Sequence, residues 1–305
     1  MRVVAALGGN ALLERGEAPD SDIQEHHVQR AVAALEPVAT QHELVVTHGN
    51  GPQVGVLAQE SARDPALSHP YPFDVLGAQT QGMIGYWLVQ ALSNSLPERD
   101  VVCLVGRTLV DPKDPAWGDP NKFVGPVYTE DEATALAASR GWQVRPDGDS
   151  WRRVVPSPEP VALLELSVVE RLVAAGALVV CFGGGGIPVV GEPSGGHQGV
   201  EAVVDKDLTA ALLATALRAD RLVLLTDVVA VERGYGTPGA EPIGRATPGE
   251  LRAERFAAGS MGPKVEAACR FVEQTGGQAA IGRLADAAAL VAGRAGTTVV
   301  PAPSA

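Results

Sequence analysis

The 305-residue chain carries only four lysines, Lys113, Lys122, Lys206 and Lys264, against twenty arginines. A composition that leans so far toward the planar guanidinium suggests that a lysine persists where a compact, flexible point charge is needed. Cysteine is equally scarce. Cys103, Cys181 and Cys269 lie scattered in apolar surroundings without metal-ligand spacing, which argues against a zinc site or redox pair and reads them as buried structural residues. No apolar run approaches the roughly 20 residues of a membrane-spanning helix. The amino terminus MRVVAALGGNALL turns at glycines after a short strand, unlike a signal peptide, so a cytoplasmic protein is expected. Positive charge is also short overall: the net charge of −12 argues against nucleic acid or an acidic membrane as partner, and any anionic substrate must be held by local positive charge.

What the chain has in quantity is apolar sequence, 46% of its residues, enough for a large core. The runs VVAAL, LVVTH, VVCLV, LVVCF and LVLLTDV alternate with long helical patterns, the rhythm of a parallel sheet covered by helices on both faces. The expected class is therefore α/β, a three-layer αβα sandwich around a mainly parallel open sheet. In such sheets ligands bind beyond the carboxyl ends of the strands. The unusual loops fall there: LGGN, THGNGPQVG, FGGGGIP and TDV. None is a P-loop or dinucleotide fingerprint, but four at equivalent strand ends point to one site. The four consecutive glycines Gly183, Gly184, Gly185 and Gly186 suggest a close visitor, since glycine is costly to order and is retained where φ is positive or something approaches the backbone.

Two lysines stand at helix starts. Lys264 follows Gly262-Pro263 at the opening of an apolar-periodic helix that Gly276-Gly277 closes, and Lys206 lies in Asp205-Lys206-Asp207 ahead of an Ala/Leu-rich helix. A cation in a first turn opposes the helix dipole by about 0.3–1 kcal/mol, whereas free N–H groups there attract anions; a bound phosphate satisfies both. Asp205 or Asp207 also serves as a candidate helix cap. Lys113, in a polar turn, reads as a solvated charge.

Residues 112–160 break the rhythm with prolines, tryptophans and turn pairs around one short helix, TEDEATALAASRG, and a hairpin signal at PDGDS. The segment reads as a small projecting subdomain, a candidate mobile lid that carries Lys122.

Taken together, GGNALL, THGNGPQVG, FDVLGAQTQGMIGYWL, KFVGPVY, RRVVPSPEP, GGGGIPVV, EAVVDKD and GSMGPKVEAACRF resemble the carbamate kinases, a branch of the amino-acid kinase superfamily, over nearly the whole chain. The lysine motif of the projection departs from the family's pattern, with Phe123 in place of a proline, but keeps the lysine. The resemblance implies one kinase domain over 1–305 with the projection inserted. It also implies reversible phosphoryl transfer between ATP and carbamate, Mg2+ with the nucleotide, a homodimer, and a role in arginine and carbamoyl phosphate catabolism. It implies Lys122, Lys206, Asp207 and Lys264 as the catalytic set, with Asp207 orienting the lysines. Thr226, Asp227, Val228, Met261, Gly262 and Lys264 fall on the nucleotide side.

The chemistry of the residues agrees. Carbamate is already an oxyanion, so positioning and charge neutralisation suffice without a dedicated base. Backbone N–H groups of Gly8, Gly9, Gly49, Gly51 and Gly183–Gly186 are candidate phosphate and substrate contacts, with Asn10 and Asn50 as amide donors. His48 is read as a loop hydrogen-bonder before a proton carrier, and Arg152 and Arg153 as anchors of the projection before substrate ligands. A silent nucleotide-binding regulator is disfavoured by the full set of charged residues. A dehydrogenase lacks its GxGxxG. The nearer rival is a sibling kinase acting on acetylglutamate.

Overall fold

The computed structural model describes residues 1–14, 16–237, 239–256 and 261–303, without the side chains of Asn10 and Pro126. The chain opens with β1 (Arg2–Leu7), α1 (Ser21–Gln41), β2 (Glu43–His48), α2 (Gly51–Arg63), α3 (Phe73–Ser95) and β3 (Val101–Leu104). An irregular middle follows: β4 (Arg107–Val110), β5 (Lys122–Tyr128), α4 (Glu130–Arg140), β6 (Gln143–Asp147), β7 (Ser150–Val155) and β8 (Pro160–Leu163). The chain then returns through α5 (Leu166–Ala174), β9 (Leu178–Cys181), β10 (Ile187–Gly191), β11 (His197–Gly199), α6 (Lys206–Ala216) and β12 (Arg221–Thr226). It finishes with β13 (Glu232–Arg233), β14 (Glu241–Pro242), β15 (Arg245–Ala246), α7 (Pro248–Arg252), α8 (Met261–Thr275), β16 (Gln278–Arg283), α9 (Ala287–Val291) and β17 (Thr297–Val299).

The main sheet has eight strands in the order β15-β17-β16-β12-β1-β2-β9-β3. The six from β16 to β3 run parallel, and β17 pairs antiparallel with β16 at the far side. Side chains alternate between its two faces with the strand period of two. Val4 and Ala6 of β1 enter one core with α5, α6 and α8, whereas Val3, Ala5 and Leu7 enter the other with α1, α3 and α9. The three-layer αβα sandwich expected from the sequence is the observed architecture. Because β1 lies between β2 and β12, the chain leaves it in one direction early and returns on its other side late. That reversal opens a crevice at the carboxyl ends of β1, β2 and β12. Among the described residues no helix is long and apolar enough to cross a membrane.

Beside the β13-β14 pair, two smaller sheets complete the described fold. One, β11-β10-β4-β8, was not anticipated; its strands are three to five residues long and half-exposed, too short to show an alternation. The other, β5-β7-β6, lies with α4 inside residues 112–160, the segment read from the sequence as a projecting unit, and its hairpin closes at Asp147↔Ser150 where PDGDS signalled a turn. Thr129 and Glu132 make a reciprocal capping box at the start of α4, and Gly141 ends it at φ 68°. The unit packs on the body through a small core of Val54, Phe73, Leu76, Val124 and Val155. Gly55 of α2 and Gly125 of β5 approach so closely that a Cβ on Gly55 would stand 3.1 Å from Gly125 Cα.

Candidate active site

A cleft of about 300 Å³ opens at the strand ends. The walls come from different strand ends: Gly8 and Gly9 after β1, Gly49, Asn50 and Gly51 after β2, Gly184 after β9, and Thr226, the last residue of β12, with Asp227. Lys122 enters from the projecting unit, Asp205, Lys206 and Asp207 from the start of α6, and Lys264 from α8. Helix α8 is described from Met261, with Pro263 and Lys264 the third and fourth of its described residues.

The charged groups are tied in two sets. Lys206 Nζ donates to Asp207 Oδ1 at 2.6 Å, and Lys264 Nζ, from 57 residues away, donates to Asp207 Oδ2 at 3.2 Å. The carboxylate is buried and each ammonium nearly so. Lys122 Nζ donates to Asp205 Oδ2 at 2.8 Å. The other Asp205 oxygen accepts from the N–H groups of Asp207 and Leu208, so Asp205, not Asp207, caps α6. Burial alone would raise the Asp205 carboxyl; the Lys122 and Lys206 ammoniums beside it outweigh that and hold it well below the usual carboxylate range. Sequence reasoning saw Asp205 only as a possible cap. Its neighbourhood with Lys122 is a contact across 83 residues that no local pattern reveals.

The start of α2 is the second source of positive potential. No side chain caps it: Asn50 holds the N-cap position but turns its amide to Thr80 Oγ1 at 2.8 Å. A Cβ on Gly51 would meet nothing within 4 Å, so the helix terminus faces open cleft.

The glycine reading requires correction. Of Gly183–Gly186 only Gly184 lines the cleft. A side chain at Gly183 would overlap the His48 ring, at Gly184 the Asn50 amide, at Gly185 the Val204 carbonyl and at Gly186 the Thr108 hydroxyl. Gly184, Gly185 and Gly186 also have φ of 67°, 91° and 85°. The close visitor is mainly the protein itself. The N–H groups of Gly185 and Gly186 are spent on Phe182 O and Gly183 O, and those of Gly8 and Gly49 on Leu225 O and Leu7 O. Gly9, Gly51 and Gly184 therefore remain, among the described residues, as the cleft glycines with N–H groups open to a ligand.

The remaining sequence candidates divide. Thr226 Oγ1 donates to Asp227 Oδ1 at 3.0 Å at the cleft mouth. Val228 and Gly262 do not line the cleft, and Met261 packs against the core instead. The Asn10 side chain lies outside the described residues. His48 is fully buried, and its Nδ1 donates to Gly49 O at 2.9 Å. Burial pushes its imidazole down to about 4, with the Gly49 bond offsetting only part, so the neutral ring packs the loop. Arg153 is ion-paired to Glu201 at 2.6 Å and lies over Phe73 and Trp142, while Arg152 pairs with Asp147 and donates to Gly125 O. Neither lines the cleft. Lys113 is exposed. Cys181 and Cys269 are buried free thiols; Cys103 is only half-buried, against α3.

A family model, the amino acid kinase family, matches residues 1–282. The carbamate kinase of Rhizobium meliloti (strain 1021) is 51% identical over 303 residues, covering 98% of this chain and 93% of the relative. That of Haemophilus influenzae is 47% identical over 300 residues, covering 98% and 96%. Among solved structures, the carbamate kinase of Giardia lamblia bound to AMP-PNP superposes with a TM-score of 0.91 at 39% identity, covering 99% of this chain and 98% of that one.

Proposed function

The chain belongs to the amino acid kinase family, on its carbamate kinase branch, and is an ATP-dependent kinase; we propose the following division of labour within its cleft. The reaction is the reversible transfer of the γ-phosphoryl group of ATP to a carbamate oxygen. The bond from the β–γ bridging oxygen to phosphorus breaks, a carbamate oxygen–phosphorus bond forms, and ADP leaves with carbamoyl phosphate. No proton is removed from the acceptor, so the work is positioning and electrostatic stabilisation.

The observation that carries this reading is the single buried carboxylate of Asp207 holding both Lys206 and Lys264. It fixes two flexible ammoniums at one spot before substrate arrives, so that little reorganisation remains when charge develops on the transferring phosphoryl oxygens. The open N–H groups at Gly9, Gly51 and Gly184 take phosphate and acceptor oxygens. Lys122 completes the set from the projecting unit, which acts as a lid over residues 112–160. Thr226 and Asp227 lie on the nucleotide side, with Lys264 between nucleotide and acceptor.

Mg2+ would come with the nucleotide and would supply neutralisation of phosphate charge. Among the described residues no group of three His, Cys, Asp or Glu gathers for a metal, and both buried carboxylates of the cleft are engaged by lysine; the phosphates then supply most of its ligands. The expected site of action is the cytoplasm, where three free thiols are stable. A homodimer is proposed through the exposed edge of β3 and the adjacent face of α3, where Tyr86 and Val105 are 63% and 51% exposed. Flux toward ATP, in breakdown of carbamoyl phosphate, is the expected direction.

The test is ATP formation from ADP and carbamoyl phosphate, set beside ATP consumption with carbamate and with acetylglutamate. Turnover with the carbamate pair and none with acetylglutamate is expected; the reverse preference refutes the assignment.

A further inference from the structure

A second cavity, of about 350 Å³, lies between the projecting unit and the body. Its floor is apolar: Ala58 and Ala62 of α2, Phe73 at the start of α3, Leu136 of α4 and Trp142. Three guanidiniums stand at its wall, from Arg63 at the end of α2, Arg140 at the end of α4 and Arg153 of β7. Arg153 is committed to Glu201. Arg63 and Arg140 have no carboxylate partner among the described residues, and Arg140 makes only a 3.4 Å bond to Ala62 O while lying over Trp142. Glu132, the one carboxylate of the lining, is turned away to the N–H and hydroxyl of Thr129. The Tyr128 phenol lines the same space: burial raises it, the charges of Arg140, Arg63 and Arg153 oppose that, and Glu132 adds to the rise.

We propose that this cavity is a regulatory site for a small amphipathic carboxylate, its carboxylate received by Arg63 and Arg140 and its ring or branched apolar body seated on the floor. Two guanidiniums without a carboxylate partner among the described residues, above an apolar floor, match that class on both counts, since guanidinium takes carboxylate in a paired, charge-assisted geometry and the floor gains from covering. Cavities of this size hold a ligand of about ten heavy atoms.

The cavity is coupled to the cleft by construction. Strand β5 carries Lys122 as its first residue and Tyr128 as its last; α2 carries Gly51 as its first and Arg63 as its last. Both elements therefore run from one site to the other, a span of about 20 Å at strand and helix rises. An acid that bridges α2 and α4 holds the projecting unit against the body and Lys122 over Asp205. Because it favours that docked arrangement, it tightens ADP binding, and ADP tightens the acid by the same factor. This coupling rests on the cleft assignment above, whereas occupancy of the cavity does not.

The experiment uses the full chain with 5-fluorotryptophan, the Trp142 resonance being assigned through Trp142→Phe. Phenylacetate, 3-phenylpropanoate and indole-3-propanoate are titrated beside 3-phenylpropanamide and phenyl phosphate. At least one acid should shift Trp142 saturably with a Kd below about 1 mM, at least about tenfold tighter than the amide. Arg63→Gln/Arg140→Gln, checked for an unchanged melting temperature, should weaken it by about tenfold or more, and saturating ADP should tighten it by about twofold or more. Phenyl phosphate binding more tightly than every acid assigns the site to phosphates and refutes the carboxylate. No saturable shift up to about 10 mM, or binding equal for acid and amide, overturns the site. Binding without any change in ADP affinity overturns its regulatory role. These readouts need no turnover, so their failure leaves the kinase assignment standing, and failure of the carbamate assay leaves cavity occupancy standing.

Discussion

Lys122 reaches out of the projecting unit to Asp205 at the start of α6, Nζ to Oδ2 at 2.8 Å, and so joins the unit to the floor of the cleft. The contact docks the unit on the body together with the Arg153–Glu201 pair and the Val54–Val124 core.

If Lys122 acts on the phosphoryl group from this position, Lys122→Ala lowers kcat by about 100-fold while the Kd for ADP changes by less than about threefold. Steady-state kinetics and calorimetry read the two quantities. Hydrogen exchange across residues 112–160 slows further with ADP plus a carbamoyl phosphate analogue than with ADP alone. Near-normal turnover together with unchanged exchange removes Lys122 from the chemistry.

Asp207 positions two cations, so its loss is felt through both. Asp207→Asn keeps the shape but not the charge, and is expected to lower kcat about as far as Lys206→Ala or Lys264→Ala, by about 100-fold or more. The effects of Asp207→Asn and Lys206→Ala combined fall well short of additive, since the residues act as a unit. A variant of either lysine that retains more than about a tenth of turnover refutes this reading.

Gly183→Ala drives a methyl into the buried His48 ring and costs about 1–3 kcal/mol, read by urea unfolding. His48→Ala in the same chain recovers part of that loss, giving a negative coupling in the double-mutant cycle. Gly141→Ala, at φ 68° with nothing within 4 Å, costs about 1 kcal/mol from backbone strain alone and gains nothing from His48→Ala.

His48 also sets a pH dependence. Its imidazole titrates at about 4 in the fold and at 6.5 when free, chiefly because burial disfavours the charged ring. The unfolded chain therefore takes up the proton first, and the stability carried by the neutral ring is whole above 6.5 and drains away as pH falls toward 4. The loss reaches about 3 kcal/mol at the lower end. Asp205, held below its free value, contributes loss only in the more acidic range under about 4. Melting temperatures of wild type and His48→Asn at pH 7, 5.5 and 4.5 should converge as pH falls; parallel curves exclude the ring as the cause.

The elements legible in the sequence are those with strong local signals. Val3–Leu7, Leu44–His48 and Leu178–Cys181 are fully buried runs bounded by glycine loops, and the hairpin at Asp147–Ser150 has its turn chemistry written into it. The lysines stood out by rarity, and the structure gathers three of the four into one cleft. What escaped is what depends on partners far along the chain. The β4–β10 pairing joins residues some 80 positions apart, and the contacts of Gly183, Gly185 and Gly186 with His48, Val204 and Thr108 look in sequence the same as contacts with a ligand. Asp205 read as a cap, which it is; its second oxygen was beyond local pattern.

The pairing of β4 with β8 gives the projecting unit a modular character. Val110 stands opposite Pro160 in the ladder, so the chain leaves the body and re-enters it at adjacent points of one small sheet. Facing residues of an antiparallel pair lie about 5 Å apart, a gap that a short turn spans. Residues 111–159 contribute no strand to the main sheet, and their excision would bare Val54, Phe73 and Leu76. A grafted insert of another shape would meet the same cleft from the same doorway, which makes this junction the natural place to exchange one roof over the strand ends for another.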